Sequence, residues 1–215
     1  MKRILIVDDH PIVRRGLADL VNGEPDFEVC GQAADANEAI ECVRLERPDV
    51  IICDLTLNGT HGLDLIKRLR SSDPDIKVLV SSMHDELVYA ERVLKAGGMG
   101  YINKQETVDK LIDAIHAVLA GNVFLSDKMT ERLLRRRVGN ASDVGDSPVD
   151  ALTDRELEVF RLFGEGQTTK QVADYLKLSV KTIESHRENI KGKLGLANAT
   201  ELTRRAVEYV LNEQS

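Results

Sequence analysis

The sequence predicts an α/β fold, a doubly wound parallel five-stranded sheet, followed by a small all-α domain of four helices. Three observations carry this expectation. Five short β-branched runs alternate with amphipathic stretches over the first 120 residues, a polar Gly/Ser/Asp/Pro segment interrupts the chain at 138–150, and no strand pattern follows it.

The runs fall at 4–7, 28–31, 50–53, 78–82 and 100–103. The first, Ile4-Leu5-Ile6-Val7, is apolar throughout, as a strand covered on both faces must be. Pro11 follows, in the position proline favours at the first turn of a helix. Val13, Leu17, Leu20 and Val21 then recur at helical spacing, as do Leu87, Ala90, Val93 and Leu94 before the fifth run. A short helix is expected over 128–137, with Arg135, Arg136 and Arg137 as its solvated end. Beyond the polar segment, Thr153-x-x-Glu156, Thr168-x-x-Gln171 and Asn198-x-x-Glu201 have the spacing of capping boxes that open helices. The expected organisation is therefore a domain at 1–122, a linker with a short helix at 123–150, and a helical domain at 151–215.

Composition narrows the function. Aromatics make up 4% of the chain and tryptophan is absent, so the cores must be aliphatic. No apolar stretch approaches the ~18 residues of a membrane span, and Met1-Lys2-Arg3 leads straight into a strand pattern rather than a signal peptide. Cys30, Cys42 and Cys53 are odd in number and form no Cys-x-x-Cys pair, which argues against a disulfide framework or a zinc site. Cytoplasmic residence is expected. The formal charge is −7, and residues 151–215 carry ten basic and ten acidic side chains, so any contact with nucleic acid must rest on local arrangement.

The first strand runs into Asp8-Asp9. Taken alone, this pair reads as a cap for the helix at Pro11. The other strand ends change that reading. Asp54 follows the third strand, Ser81-Ser82 closes the fourth, and Lys104 follows the fifth. In an open parallel sheet, functional groups gather beyond the carboxyl ends of the strands. Three carboxylates, a hydroxyl and an ammonium should therefore converge, a set that suits Mg²⁺. With the metal present, Asp54 can act as a nucleophile toward a phosphoryl group, while metal and Lys104 offset the charge on the transferring oxygens. Singly, Asp54 could start a turn, Lys104 could be a surface lysine and Ser82 could cap a helix. At successive strand ends, coincidence becomes the poorer explanation.

Residues 1–120 resemble the receiver domain of bacterial two-component response regulators, residues 150–215 resemble a LuxR-type helix-turn-helix, and the whole resembles the NarL/FixJ family. The resemblance implies a flavodoxin-like sheet of order 2-1-3-4-5. It implies that Asp54 accepts phosphate from a sensor histidine kinase, and that Mg²⁺ is held by Asp9, by Asp8 mostly through water, by Asp54 and by the Thr56 carbonyl. Ser82 matches the hydroxyl that follows the phosphate, and Tyr101 the aromatic that moves with it. The chain departs from the pattern at Asn58, where proline is usual, which loosens the loop and alters the lifetime of the phosphoryl group. Thr56 and His84 flank the site where side chains admit or block hydrolytic water. His61 and His84 are expected to be solvent-facing, and Cys53 to be a small buried hydrophobe.

In the helical half, Val172, Ala173 and Leu176 give one helix an apolar face. Ser179 caps the next, whose Val180, Ile183, Ile190 and Leu194 are expected to face the core. The remaining face carries Lys181, Thr182, Glu184, Ser185, Arg187, Glu188 and Lys191. A generic helical hairpin with a solvated charged face would look the same. The LuxR-type resemblance, carried by Lys181-Thr182-Ile183 and Lys193-Leu194-Gly195, implies insertion into the major groove of double-stranded DNA. Glu184, Ser185 and Glu188 stand at base-reading positions where basic residues are common. Glutamate can still accept from cytosine N4. Lys181, Arg187, Lys191 and Lys193 would hold phosphates, giving weak and salt-dependent monomer binding. Lys177 replaces a usual turn glycine and should be mildly strained. Leu202, Ala206, Tyr209 and Val210 line one face of the last helix, as core packing or as the homodimer contact that the resemblance implies at inverted half-sites.

The expected function is a transcription factor switched by phosphorylation, not an enzyme. A regulator controlled by a ligand or protein partner, independent of phosphate, is one rival. An aspartyl-phosphate phosphatase of the haloacid-dehalogenase type is another, but it needs an aspartate two residues after the nucleophile, where this chain has Thr56. No Gly-x-Gly-x-x-Gly or Walker loop follows a strand.

Overall fold

The computed structural model describes residues 1–57, 59–138 and 148–213. The chain forms two compact units, Met1–Ala141 and Ser142–Ser215. In the first, the strands are β1 (Lys2–Val7), β2 (Phe27–Ala33), β3 (Val50–Cys53), the two-residue β4 (Thr56–Leu57) and β5 (Thr60–His61), β6 (Val78–Ser82) and β7 (Gly100–Asn103). Five of them build a parallel sheet in the order β2-β1-β3-β6-β7. Counted among themselves these are strands 2-1-3-4-5, the order the resemblance implied. The intervening helices are α1 (Pro11–Asn22), α2 (Ala36–Glu46), α3 (Gly62–Ser72), α4 (Glu86–Ala96) and α5 (Val108–Leu119).

Both faces of the sheet are covered at its centre, which is why β1, β3 and β6 carry near-continuous apolar runs while the edge strand β2 does not. Ile4, Ile6, Val50, Ile52 and Leu79 share one core with Ala18 and Val21 of α1 and with Leu111, Ala114, Ile115 and Val118 of α5. Their alternating neighbours Leu5, Val7, Ile51, Cys53 and Val80 are also buried. Each fully buried leucine or isoleucine contributes about 1.5–3 kcal/mol.

The β4–β5 hairpin was not expected, because two residues a side are too few to show a period. Asn58, on which the loosened-loop reading rests, lies outside the described residues. So do residues 139–147, most of the expected polar linker. The rest of the expected 123–150 linker is structured. Phe124 forms a parallel bridge with Gly100, Met129 of α6 (Asp127–Val138) is fully buried, and residues 148–150 lie in a 3₁₀ turn, Pro148–Ala151, with Val149 buried. Arg135 is exposed, as expected of a solvated end, in a surface pair with Glu131, whereas Arg136 is half-buried against Glu91 of α4.

The second unit holds α7 (Asp154–Gly164), α8 (Thr169–Tyr175), α9 (Val180–Leu194) and α10 (Ala199–Glu213). Capping boxes at Thr153/Glu156 and Thr168/Gln171 open α7 and α8. At the third site, Glu201 N–H donates to Asn198 at 3.0 Å, but the Glu201 carboxylate reaches the Ala197 N–H. Val180 corrects the expected apolar face of α9: it is 44% exposed, because the first helical position lies beyond the packed turns that carry Ile183 and Ile190. Lys177 has φ 53°, the left-handed conformation in which glycine is at ease. Among the described residues, no helix is long and apolar enough to cross a membrane.

Candidate functional site

Parallel register aligns the strand ends. Val7 stands opposite Cys53 and Cys53 opposite Val80. The ladder continues one residue further, with Asp54 N–H donating to the Val7 carbonyl at 2.9 Å and Lys104 N–H to the Ser82 carbonyl at 3.0 Å. Asp8, Asp54, Ser82 and Lys104 thereby meet at one edge. The Lys104 ammonium donates to Asp8 Oδ2 and Asp54 Oδ2, each at 2.6 Å. Asp8 Oδ1 accepts from His10 N–H at 2.8 Å and Asp54 Oδ1 from Leu55 N–H at 2.6 Å. Asp8 thus serves both readings of the opening pair: one oxygen steadies the backbone entering α1, and the other faces the pocket.

Burial pushes the Asp54 carboxyl above the ordinary carboxylate range. Lys104 and the Ser82 hydroxyl pull it back, and the nearby charge of Asp8 adds to the rise. Burial acts to lower the Lys104 pKa, but Asp54 and Asp8 outweigh it and hold the ammonium protonated. Burial beside these acids also drives the Cys53 thiol far up, so it stays a neutral, packed side chain.

Three carboxyl groups against one ammonium leave a surplus of negative charge. Asp8, Asp9, His10 and Asp54 each offer a ligand atom within 4.8 Å of the others. Asp9 Oδ1 is shielded from solvent and accepts no hydrogen bond, although the His10 ring Nδ1 lies 2.7 Å away. A buried carboxylate oxygen without a hydrogen bond, in a set dominated by oxygen donors, fits a hard cation such as Mg²⁺. His10 was not foreseen, and its sequence context gives no signal. Gly62 was also missed: a Cβ there would lie 2.3 Å from the Asp54 carbonyl oxygen and 2.8 Å from Leu55 Cα. Only glycine lets α3 start so close to the Asp54 loop.

Ser82 and Tyr101 are buried, and the Tyr101 hydroxyl donates to the His84 carbonyl at 2.8 Å. The expectation that His61 and His84 face solvent is corrected, since both are buried. Their rings stack on Tyr89, with centroids 6.1 and 4.9 Å away. Their polar atoms are satisfied locally: His61 Nδ1 accepts from Leu63 N–H at 3.2 Å, and His84 Nε2 lies 3.0 Å from the Thr56 hydroxyl.

In the helical unit, α9 exposes Lys181, Glu184, Ser185 and Glu188 on one side, with Thr182 half-buried beside them. Three of the four cations assigned to phosphates have partners within the unit. Lys193 pairs with buried Glu156 at 2.6 Å. Arg187 donates to the Thr169 hydroxyl and lies over the Phe163 ring, and Lys191 pairs with Glu188 at 2.9 Å. Lys181 is the exposed cation at the start of the face.

Residues 4–116 match the family described as "Response regulator receiver domain", and residues 150–206 match "Bacterial regulatory proteins, luxR family". The chain belongs to the NarL/FixJ family of two-component response regulators. This response regulator is 38% identical to the oxygen regulatory protein NreC of Staphylococcus carnosus (strain TM300), over 99% of this chain and 98% of that protein. It is 36% identical to the transcriptional regulatory protein LiaR of Bacillus subtilis (strain 168), over 94% of each. Among solved structures it is similar to RcsB from Salmonella enterica serovar Typhimurium bound to promoter rprA in the presence of phosphomimetic BeF₃⁻. That match has a TM-score of 0.68 and 29% identity over 94% of this chain and 96% of that one. The protein is a DNA-binding transcriptional response regulator.

On the last helix of the response regulator, the core-packing alternative accounts for three of the four expected residues. Leu202, Ala206 and Val210 are buried within the unit, and the Tyr209 ring tilts against Phe160 at 5.7 Å. Gly164 of α7 permits this close approach, since a Cβ there would lie 2.3 Å from the Ala206 carbonyl oxygen. Leu202, Ala206 and Val210 pack the core of a small domain, while Tyr209 is half-buried at its edge. Val207 and Leu211 are the apolar residues that α10 exposes.

Proposed function

We propose that this response regulator acts in the cytoplasm, is switched by Mg²⁺-dependent phosphorylation of Asp54 by a sensor histidine kinase, and in its phosphorylated form pairs on double-stranded DNA at inverted half-sites. The observation that carries the reading is the Lys104 ammonium held between Asp8 and Asp54 at the carboxyl ends of three strands. A carboxylate oxygen of Asp54 bonds to phosphorus as the phosphorus–nitrogen bond of the donor phosphohistidine breaks, and the departing imidazole nitrogen keeps the bonding pair. Lys104 stays protonated and faces the oxygens on which charge develops. Asp9, Asp8, Asp54 and the Thr56 carbonyl would hold Mg²⁺, which supplies neutralising charge to the phosphoryl oxygens. The Ser82 hydroxyl, close enough to Asp54 to help hold its pKa down, turns to the new phosphoryl group, and Tyr101 follows through the His84 carbonyl. The receiver is assigned to 1–122 and the helix-turn-helix to 151–215.

On the DNA side, the exposed face of α9, with Lys181, Thr182, Glu184, Ser185 and Glu188, is the reading surface. The RcsB complex with promoter DNA and a phosphomimetic supports this assignment. Dimer contacts fall to Val207 and Leu211. Selection of bound fragments from random DNA, with and without Mg²⁺ and a small acyl phosphate donor, tests both halves. Donor should tighten binding for the wild type and leave Asp54→Ala unchanged. Equal affinity of the two proteins with donor present sinks phospho-control.

A further inference from the structure

We infer that His10 supplies a nitrogen ligand to the ion in the acidic pocket, so that the site favours a divalent first-row transition ion over Mg²⁺. The inference rests on the reading of Asp8, Asp9 and Asp54 as a metal pocket and adds a residue which that reading does not use.

His10 stands at the position that caps α1. A residue there ordinarily turns a side-chain oxygen onto the open amides of the first helical turn, and serine, threonine, aspartate and asparagine lead that work. The His10 side chain makes no capping hydrogen bond. Pro11 follows it, so the first helical residue has no amide to satisfy. The imidazole turns back toward the acids instead. Its Nδ1 lies 2.7 Å from Asp9 Oδ1 and 3.6 Å from Asp8 Oδ1. What steadies the backbone here is the His10 N–H, which donates to Asp8 Oδ1 at 2.8 Å. Helix α1 therefore starts without help from the ring.

Two features give the ring an ion to face. The Asp9 side chain beside it is 10% exposed, and its Oδ1 accepts no hydrogen bond. Asp8, Asp9, His10 and Asp54 also bring one donor atom each within 4.8 Å of the others. Donors that share an ion at about 2.1 Å stand at most about 4.2 Å apart, so the set needs little closure. Carboxylates alone suit Mg²⁺, which dehydrates reluctantly and keeps to oxygen. An imidazole nitrogen adds affinity for the ions toward the end of the first row instead.

The test is calorimetric titration of the full-length protein, kept reduced, with Mg²⁺ and separately with Co²⁺. It is joined to NMR of the Co²⁺-loaded protein carrying ¹³C-labelled histidine. The wild type should bind Co²⁺ more tightly than Mg²⁺ and show one histidine ring displaced far outside the ordinary aromatic range. His10→Ala keeps the backbone N–H on Asp8 and so keeps the start of α1. It should bind Co²⁺ about tenfold more weakly, bind Mg²⁺ as the wild type does, and lose the displaced ring. An unchanged ratio of the two affinities in His10→Ala, or a wild type without a displaced ring, overturns His10 as a ligand. A wild type that binds neither ion overturns the metal pocket itself, and the His10 assignment falls with it.

Discussion

The Lys104 ammonium sits 2.6 Å from a carboxylate oxygen of Asp8 and 2.6 Å from one of Asp54, bridging the ends of β1 and β3 from the end of β7. That contact holds two buried acids side by side. Lys104→Gln keeps much of the volume and removes the charge. Phosphorylation of Asp54 by a small acyl phosphate should slow by about 10²-fold, the effect of losing one preorganised donor at a developing charge. Intact-mass time courses measure it, and an unchanged rate would mean that the ammonium is only structural.

Mg²⁺ should stabilise the receiver, because the surplus negative charge and the Asp9 oxygen that accepts no hydrogen bond are present before any ligand arrives. At a hundred times the dissociation constant the gain is about 2.7 kcal/mol. Asp9→Ala should melt at the same temperature with Mg²⁺ as with chelator, while the wild type shifts upward. Calorimetry that finds no Mg²⁺ response in the wild type removes the metal from the proposed mechanism.

The strand ends made much of this pocket legible in the sequence. Asp8, Asp54, Ser82 and Lys104 each stop or follow an apolar run, and parallel pairing brings such ends together whatever lies between them. His10, Gly62 and the buried pair His61 and His84 were not legible, for physical reasons. A histidine beside a loop reads as polar, and only the packed structure reveals that both rings stack on Tyr89. The demand on Gly62 comes from a backbone eight residues earlier in the chain. On α10, a stripe of Leu202, Ala206 and Val210 looks the same whether a core or a partner covers it. The distinction came from Gly164, which lets α7 approach closely enough to bury that stripe.

Gly62→Ala tests that close approach from the other side. The added methyl would meet backbone rather than a yielding side-chain tip, so the Asp54 loop or α3 must shift. We expect a loss of about 1–3 kcal/mol, as for overpacking elsewhere, and slower phosphorylation. Denaturant unfolding measures the first. A variant as stable and as readily phosphorylated as the wild type would show that the loop relaxes freely.

Glu156 links the start of α7 to the last turn of α9 and makes the helical unit sensitive to acid. Burial pushes its pKa up, but Lys193 and the Thr153 N–H and hydroxyl outweigh that and leave it below the ordinary 4.5. A depressed carboxyl stabilises the fold above its unfolded value, and that stability is lost as pH falls through the folded value. Stability of the helical unit should therefore decline below about pH 4.5, and Glu156→Gln should remove this part of the decline. Lys193 is partly exposed, so screening limits its share and Lys193→Ala should lose about 1 kcal/mol at neutral pH. The same pairing separates two roles in DNA binding. Lys181→Ala removes an exposed cation and should lower the slope of log affinity against log salt by about one. Lys193→Ala should destabilise the unit and leave that slope unchanged. Fluorescence anisotropy on one operator fragment across a salt series measures both. An equal drop in slope for the two variants would mean that Lys193 leaves Glu156 for a phosphate when DNA is bound.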